Sequence, residues 1–318
     1  MRYHIFSNRP KDSGVWKMSD VKKIIECVPN FSEGRDGDKI DKIVEPFRGK
    51  DNLKLLDFQR DKDHNRLVVT VIGDPEVLGR AVTEAVGNAI ELIDMRKHRG
   101  QHPRMGAVDV VPFIPIQNLG MTDAIEVSRN VAKAISEKHG LPVFLYERSA
   151  TTPERQNLAT IRKGEFEGMA DKLKDPRWRP DYGPDTIHPT AGVTAVGARM
   201  PLVAFNVNLD TADVDIANAI ARKVRHINGG LRYCKGIGIA LKHRGMVQVS
   251  MNMTDYTQTA LYRSYELVRI EARRYGINVV GSEIVGLVPM EALIDTAAYY
   301  LGLENFAVDQ VLESRLLE

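Results

Sequence analysis

A chain of 318 residues is about twice the usual domain size, so two domains or two fused halves are expected. Its 43% hydrophobic and 27% charged residues exclude a disordered, collagen-like or disulfide-scaffold protein. Forty-four Lys and Arg against forty-two Asp and Glu leave a formal charge of +2, which argues against nucleic acid or an anionic membrane as a main partner. The two cysteines, Cys27 and Cys234, are far apart and form no CxxC pair, so a reducing cytosol fits and a zinc finger does not. No apolar run approaches the roughly 20 residues of a membrane span, and the polar start lacks a signal-peptide core. These features place the chain in the cytoplasm, with residues 1–20 as an N-terminal extension and Met18 an alternative start.

The elements follow in order. Residues 23–28 read as a strand, and the turn-rich PNFSEGRDGD leads to a helix carrying Ile40, Ile43, Val44 and Phe47. Strands 53–58 and 67–72 flank the polar QRDKDHNR. Asp74-Pro75 opens a long helix, with proline at its first position and an apolar stripe from Val77 to Ile93. A strand over 108–114, a helix over 122–139 and a strand over 143–146 come next. Residues 147–200 are polar and Pro-rich, too long for a spacer, which marks a binding loop. The second half repeats the pattern: strand 202–207, helix 211–226, strands 236–241 and 246–253, helix 257–275, strand 279–285 and helix 290–302.

Two successive βαββαβ units predict an α+β protein of two ferredoxin-like subdomains, 21–199 and 200–318, with a ligand cleft between them. A doubly wound nucleotide fold needs strict βαβα alternation and a glycine-rich first turn, and neither is present.

The densest reactive cluster is HRGQHPRMGAVD, residues 98–109. His98 and His102 are four apart, but Gly100 and Pro103 break the helical face that a zinc pair would need. No metal is expected. His98, next to Arg96 and Lys97, reads as a cation at a helix C-terminus. His102 in the following loop is a candidate general acid/base, since its ordinary pKa lies near neutrality, with a structural histidine as the alternative. In the charged connector 57–66, His64, Asn65 and Arg66 could meet a carboxylate at a strand mouth, or simply form a solvated hairpin. VPNFSEG could hold an anion on its backbone N–H groups or be a tight turn. Glu283, flanked by apolar residues and glycines, is costly to bury without a partner.

ECVPNFSEG (26–34), KHRGQHPRMGAVDVVPFIP (97–115), GPDTIHPTAG (183–192), AFNVNL (204–209) and VVGSEIVGLVP (279–289) together resemble the formiminotransferase domain of the formiminotransferase-cyclodeaminase family, in its stand-alone form. The resemblance runs over residues 21–303 in order. It implies an enzyme that transfers the formimino group from N-formimino-L-glutamate to tetrahydrofolate, a co-substrate, in histidine degradation. It implies that His102 is the general acid/base, and that Gly183, Pro184, Asp185, Thr186, Ile187, His188, Pro189, Thr190, Ala191 and Gly192 bind folate. Arg66 and Arg104 are candidates, by charge and position, for the substrate carboxylates. Mammalian members carry an acid near Gln59 and an amide at Glu283, so here acid and amide are exchanged. Both residues are therefore expected at the catalytic site, with Asp57 or Asp61 as substitutes for Gln59. A homodimer follows from the family. The alternatives are a formyl donor, a folate-binding relative without catalysis, and, more remotely, a metal-dependent hydrolase.

Overall fold

The computed structural model describes residues 22–316 except 63, 101, 242 and 243; the extension at 1–20 lies outside them. The described chain forms two units that divide between Arg199 and Met200.

The first unit is built on one seven-stranded sheet. Its first strand is broken in two, β1 (Ile24–Cys27) and β2 (Asn30–Phe31), around Val28-Pro29, where proline has no N–H for a ladder. Then come α1 (Gly37–Val44), β3 (Leu53–Asp61), β4 (Arg66–Gly73), α2 (Pro75–Leu92) and β5 (Val108–Gln117). Asp36 caps α1 by accepting from the N–H groups of Asp38 and Lys39, and Asp74 caps α2 in the same way at Glu76 and Val77. In β4 the alternation is strict: Leu67, Val69 and Val71 are buried, and Arg66, Val68, Thr70 and Ile72 face the other way, half-buried. Taking β1 and β2 as one strand, β5, β1/β2, β4 and β3 lie side by side and antiparallel, an order of fourth, first, third, second.

Helix α3 (Met121–His139) ends at Gly140 in the left-handed conformation (φ 63°) and leads to β6 (Val143–Glu147). The segment read as a long connector holds more structure than its composition suggests. It contains α4 (Leu158–Arg162), α5 (Glu165–Lys172) and a wholly buried strand, β7 (Thr194–Ala198). β7 inserts between β5 and β6, parallel to both; its sequence, TAVGA, is too small and short to announce a strand. The core under α1, α2 and α3 takes Val143, Leu145 and Val196, while Phe144, Tyr146 and Ala195 point to the opposite face, under Ile161 of α4 and Met169 of α5.

The second unit contains β8 (Val203–Leu209), α6 (Val214–Val224), β9 (Cys234–Leu241), β10 (Met246–Met253), α7 (Leu261–Arg273), β11 (Val279–Val285) and α8 (Met290–Leu301). Its strand order, β11-β8-β10-β9, is again fourth, first, third, second, antiparallel throughout. Val203, Phe205, Val207 and Leu209 pack with Val247, Val249 and Met251 against Ala217, Ile220 and Val224 of α6 and Val268 of α7.

Candidate active site

The β3–β4 hairpin sets out the first half of the site. A register shift between Leu55 and Asp57 leaves Leu56 as an extra residue, after which Asp57, Gln59 and Asp61 lie opposite Thr70, Val68 and Arg66. Directly opposed residues share a face, so these six side chains lie on the side of the sheet turned away from Leu67 and Val69. β3 runs to Asp61, so Gln59 is a strand residue rather than part of a connector, with its Nε2 donating to Asp57 Oδ2 at 2.9 Å. Asn30 joins the same rung, opposite Val68 on one side and Val110 on the other. At the hairpin tip Asp61 accepts from the backbone N–H of His64 (2.9 Å) and pairs with His64 Nδ1 (2.7 Å).

The second half is the loop after α2, packed onto that tip. A Cβ added at Gly100 would sit 2.2 Å from the His64 carbonyl oxygen, so only glycine permits the approach. His98 corrects the helix-dipole expectation. α2 ends at Leu92, six residues earlier, and His98 is buried. Its Nδ1 accepts from Arg104 Nε (3.3 Å), so its Nε2 carries the hydrogen donated to the Asn65 carbonyl (3.0 Å); burial lowers its pKa. Asn65, in a left-handed turn (φ 50°), ties the two halves further, accepting from Gly34 N and donating to the Arg99 carbonyl. The His64 and His102 rings meet edge to face with centroids 6.4 Å apart.

Arg104 is buried with its two NH groups on Glu165 and Glu167, each at 2.6 Å. It links the HPRMG segment to α5 and has a full set of internal partners. Arg66 is the opposite case: its Nε is buried with no hydrogen-bond partner, and burial lowers its pKa.

Two further residues, not singled out from the sequence, complete the cluster. β2 pairs Asn30 with Val110 and Phe31 with Val108, which leaves Asp109 as a bulge residue on β5. Its carboxylate, 2% exposed, takes Arg162 Nε (3.2 Å) and NH2 (2.5 Å) and the backbone N–H of Met105 (3.1 Å). Burial pushes this carboxyl up and Arg162 pulls it back. An aspartate inside the apolar run VDVVPFI was a usable signal, because a buried charge needs a partner. Arg162, 53 residues away, gave no local sign. Lys172 Nζ caps the α4 end that carries Arg162, donating to the Thr160 carbonyl at 2.6 Å and to that of Ile161 at 2.5 Å. Burial, then Arg66, Arg162 and His64, hold His102 well below an ordinary imidazole, at a pKa of about 3, against a weaker opposite pull from Asp61.

The 183–192 loop is pinned beside this frame. His188 and Gly192 exchange backbone hydrogen bonds at 3.0 Å, and His188 Nδ1 accepts from Ala191 N, also at 3.0 Å. The Thr190 carbonyl accepts from Met95 N and that of Ala191 from Ala107 N, both 2.8 Å. Gly183 (φ 93°) passes so close to Ser136 Oγ that a Cβ would lie at 2.5 Å. Gly183 to Thr186 are exposed, with Asp185 accepting from Arg179 Nε at 3.0 Å. The VPNFSEG amides are used internally: Gly34 N donates to Asn65 Oδ1, and Arg35 N and Asp36 N donate to Glu33 Oε1.

Glu283 lies on β11, in the other unit from Gln59. It accepts from Asn206 Nδ2 (3.2 Å) and Gln248 Nε2 (2.7 Å), and these bonds lower its pKa. Among the described residues no group of three or more His, Cys, Asp or Glu is placed to hold a metal ion, and no helix is long and apolar enough to cross a membrane.

Residues 24–199 match the family model described as the formiminotransferase domain, N-terminal subdomain, and residues 204–316 match that of the formiminotransferase domain. The chain is 54% identical to a glutamate formimidoyltransferase of Streptococcus pyogenes serotype M1, over 93% of this chain and 100% of that one. It is 45% identical to a glutamate formimidoyltransferase of Thermoplasma acidophilum, over 92% and 97%. With a formimidoyltransferase-cyclodeaminase of Rattus norvegicus the identity is 41%, over 91% of this chain and 54% of the other.

Proposed function

The chain belongs to the formiminotransferase family, and on that premise we propose how its residues carry out formimino transfer. The protein is a glutamate formimidoyltransferase: it moves the formimino group of N-formimino-L-glutamate to tetrahydrofolate, its co-substrate, and releases L-glutamate. The observation that carries our assignment of roles is one half-buried imidazole beside a buried, unpartnered arginine nitrogen.

In this reading a carboxylate of formiminoglutamate completes Arg66. A guanidinium nitrogen buried without a partner is unfavourable, and a two-pronged carboxylate that takes Nε and a terminal NH group satisfies it. Arg104 instead holds the HPRMG segment through Glu165 and Glu167, and its part in substrate binding is to keep that segment in place. His102, uncharged at neutral pH, takes the proton released as the folate nitrogen attacks the amidine carbon. It then returns that proton to the departing glutamate nitrogen. The donor's carboxylate on Arg66 offsets a cation that depresses His102, so basicity recovers when substrate is bound. Arg162, fixed by Asp109, adds its charge to that of Arg66 near the imidazole, residues 183–192 carry the folate, and Gln59, one rung from Arg66, orients the donor. Glu283 supplies a carboxylate to a ligand from the second unit.

The ferredoxin-like character of each unit and the ligand cleft expected between them belong to this proposal; the strand order repeated in both units supports the former. So do a homodimer, suggested by exposed Tyr299 and Leu301 on α8, and the cytoplasm, suggested by two unpaired cysteines.

The test is transfer of label from carbon-labelled formiminoglutamate to tetrahydrofolate by the purified chain, with N-formylglutamate in parallel. Label should appear in the folate at least tenfold faster from the formimino donor; preference for the formyl donor would overturn this reading.

A further inference from the structure

Helix α4, with five residues, is too short to be stable on its own, and the carbonyls of its last turn have no partner within it. Asn157 caps its start by accepting from Ala159 N. Its end is closed by a side chain from α5. Lys172 Nζ donates to the carbonyls of Thr160 (2.6 Å), Ile161 (2.5 Å) and Lys163 (3.3 Å), so all three N–H groups of the ammonium are matched. Burial, then Lys163, lowers the Lys172 pKa to about 8, and at pH 7 the group is still charged. Nζ also stands 3.9 Å from the centre of the Trp178 ring, a cation–π contact, and Trp178 in turn packs edge to face with Phe144 of β6.

Arg162 sits between the Ile161 and Lys163 carbonyls that Lys172 binds. Its guanidinium lies on Asp109, while the start of α5 lies on Arg104 through Glu165 and Glu167. The α4–α5 hairpin therefore grips the HPRMGAVD segment at both Arg104 and Asp109, and Lys172 ties its two helices to each other. We propose that Lys172 is a positioning residue for formimino transfer: by fixing the backbone on both sides of Arg162 it holds Arg162 on Asp109, and so sets the segment that carries His102. The inference rests on the transferase reading above and adds to it a residue that acts through Arg162. A cap that only stabilised α4 would cost folded protein and leave the chemistry of the folded molecules unchanged.

The experiment is steady-state kinetics with formiminoglutamate and tetrahydrofolate on the full chain as wild type, Lys172→Met, Arg162→Gln and the double variant, with the folded fraction of each read by circular dichroism. Methionine keeps the apolar stem and removes every donor. In Lys172→Met, kcat per folded molecule should fall about tenfold or more, the cost of a displaced catalytic group, with both KM values within about threefold of wild type. In the Arg162→Gln background the same substitution should change kcat by less than about twofold, because the residue it acts through is already gone. The charges that shift His102 most are Arg66, Arg162, His64 and Asp61, so loosening Arg162 should also move the acid limb of kcat up by about half a pH unit. If Lys172→Met does not fold, Lys172→Gln, whose amide keeps a donor, takes its place in the same comparison. A kcat per folded molecule within about twofold of wild type, losses that multiply in the double variant, or an unmoved acid limb overturns the positioning role and leaves the transferase reading intact. If wild type transfers no label, the reading beneath it falls and the positioning role falls with it.

Discussion

Asp109→Asn is the substitution that most sharply separates a designed charge pair from an incidental one. In the folded chain the Asp109 carboxylate takes two Arg162 nitrogens and the Met105 N–H while only 2% exposed. Removing one partner of a buried pair costs about 3–5 kcal/mol, because the other charge is left without compensation. Asparagine keeps one acceptor, so the loss should sit near the lower end, about 3 kcal/mol, or a fall in Tm of roughly 6–12 °C for a unit of this size. Trp178 lies in the first unit with its ring edge to face with Phe144, so its emission in urea follows that unit. Adding Arg162→Gln to Asp109→Asn should recover at least about 1 kcal/mol, since the stranded guanidinium is then gone. An Asp109→Asn protein within about 0.5 kcal/mol of wild type would refute the reasoning.

Arg66→Gln should raise the KM for formiminoglutamate by about 10- to 100-fold, the weight of a charge-assisted carboxylate contact, and leave the KM for tetrahydrofolate unchanged; initial rates with each substrate varied decide it. Glu283→Ala should cut turnover much more than Gln59→Ala in the same assay, and equal small effects would remove Glu283 from the site. The pH profile has a definite sign. Because His102 is neutral down to about pH 3 in the free protein, kcat/KM should show no loss between pH 7 and 5 from this group, whereas kcat should fall at higher pH than kcat/KM as acid is added, once a carboxylate sits on Arg66. The same depressed pKa stabilises the fold above pH 6.5 and is lost as pH falls from there towards 3, since the unfolded imidazole binds the proton first. His102→Gln should flatten that part of the stability curve measured by urea unfolding.

Much of the fold was legible in the sequence because periodicity and caps speak locally. Asp74-Pro75 opened α2, Gly140 closed α3, and the strand read over 279–285 is β11. β7 was hidden because its five small residues are buried by tertiary packing rather than by their own hydrophobicity, and the helices of 158–172 because each is too short to show a stripe. Within the candidate site, residue type and local context singled out His102 and Arg66 as candidates. Asp109 with Arg162 was not, since a pair separated by 53 residues has no sequence spacing to read. His98 misled because its neighbours Arg96 and Lys97 suggested a charged helix end, whereas the chain had already turned and buried the ring against Asn65.

The central claim is that one neutral imidazole, His102, carries the proton between attacking and departing nitrogens. The most direct measurement is kcat for His102→Ala with formiminoglutamate and tetrahydrofolate both saturating. The account expects a fall of about 10²- to 10⁴-fold, with both KM values within about threefold of wild type, since Arg66 and the 183–192 loop are untouched. A variant that keeps more than a tenth of wild-type turnover would contradict it.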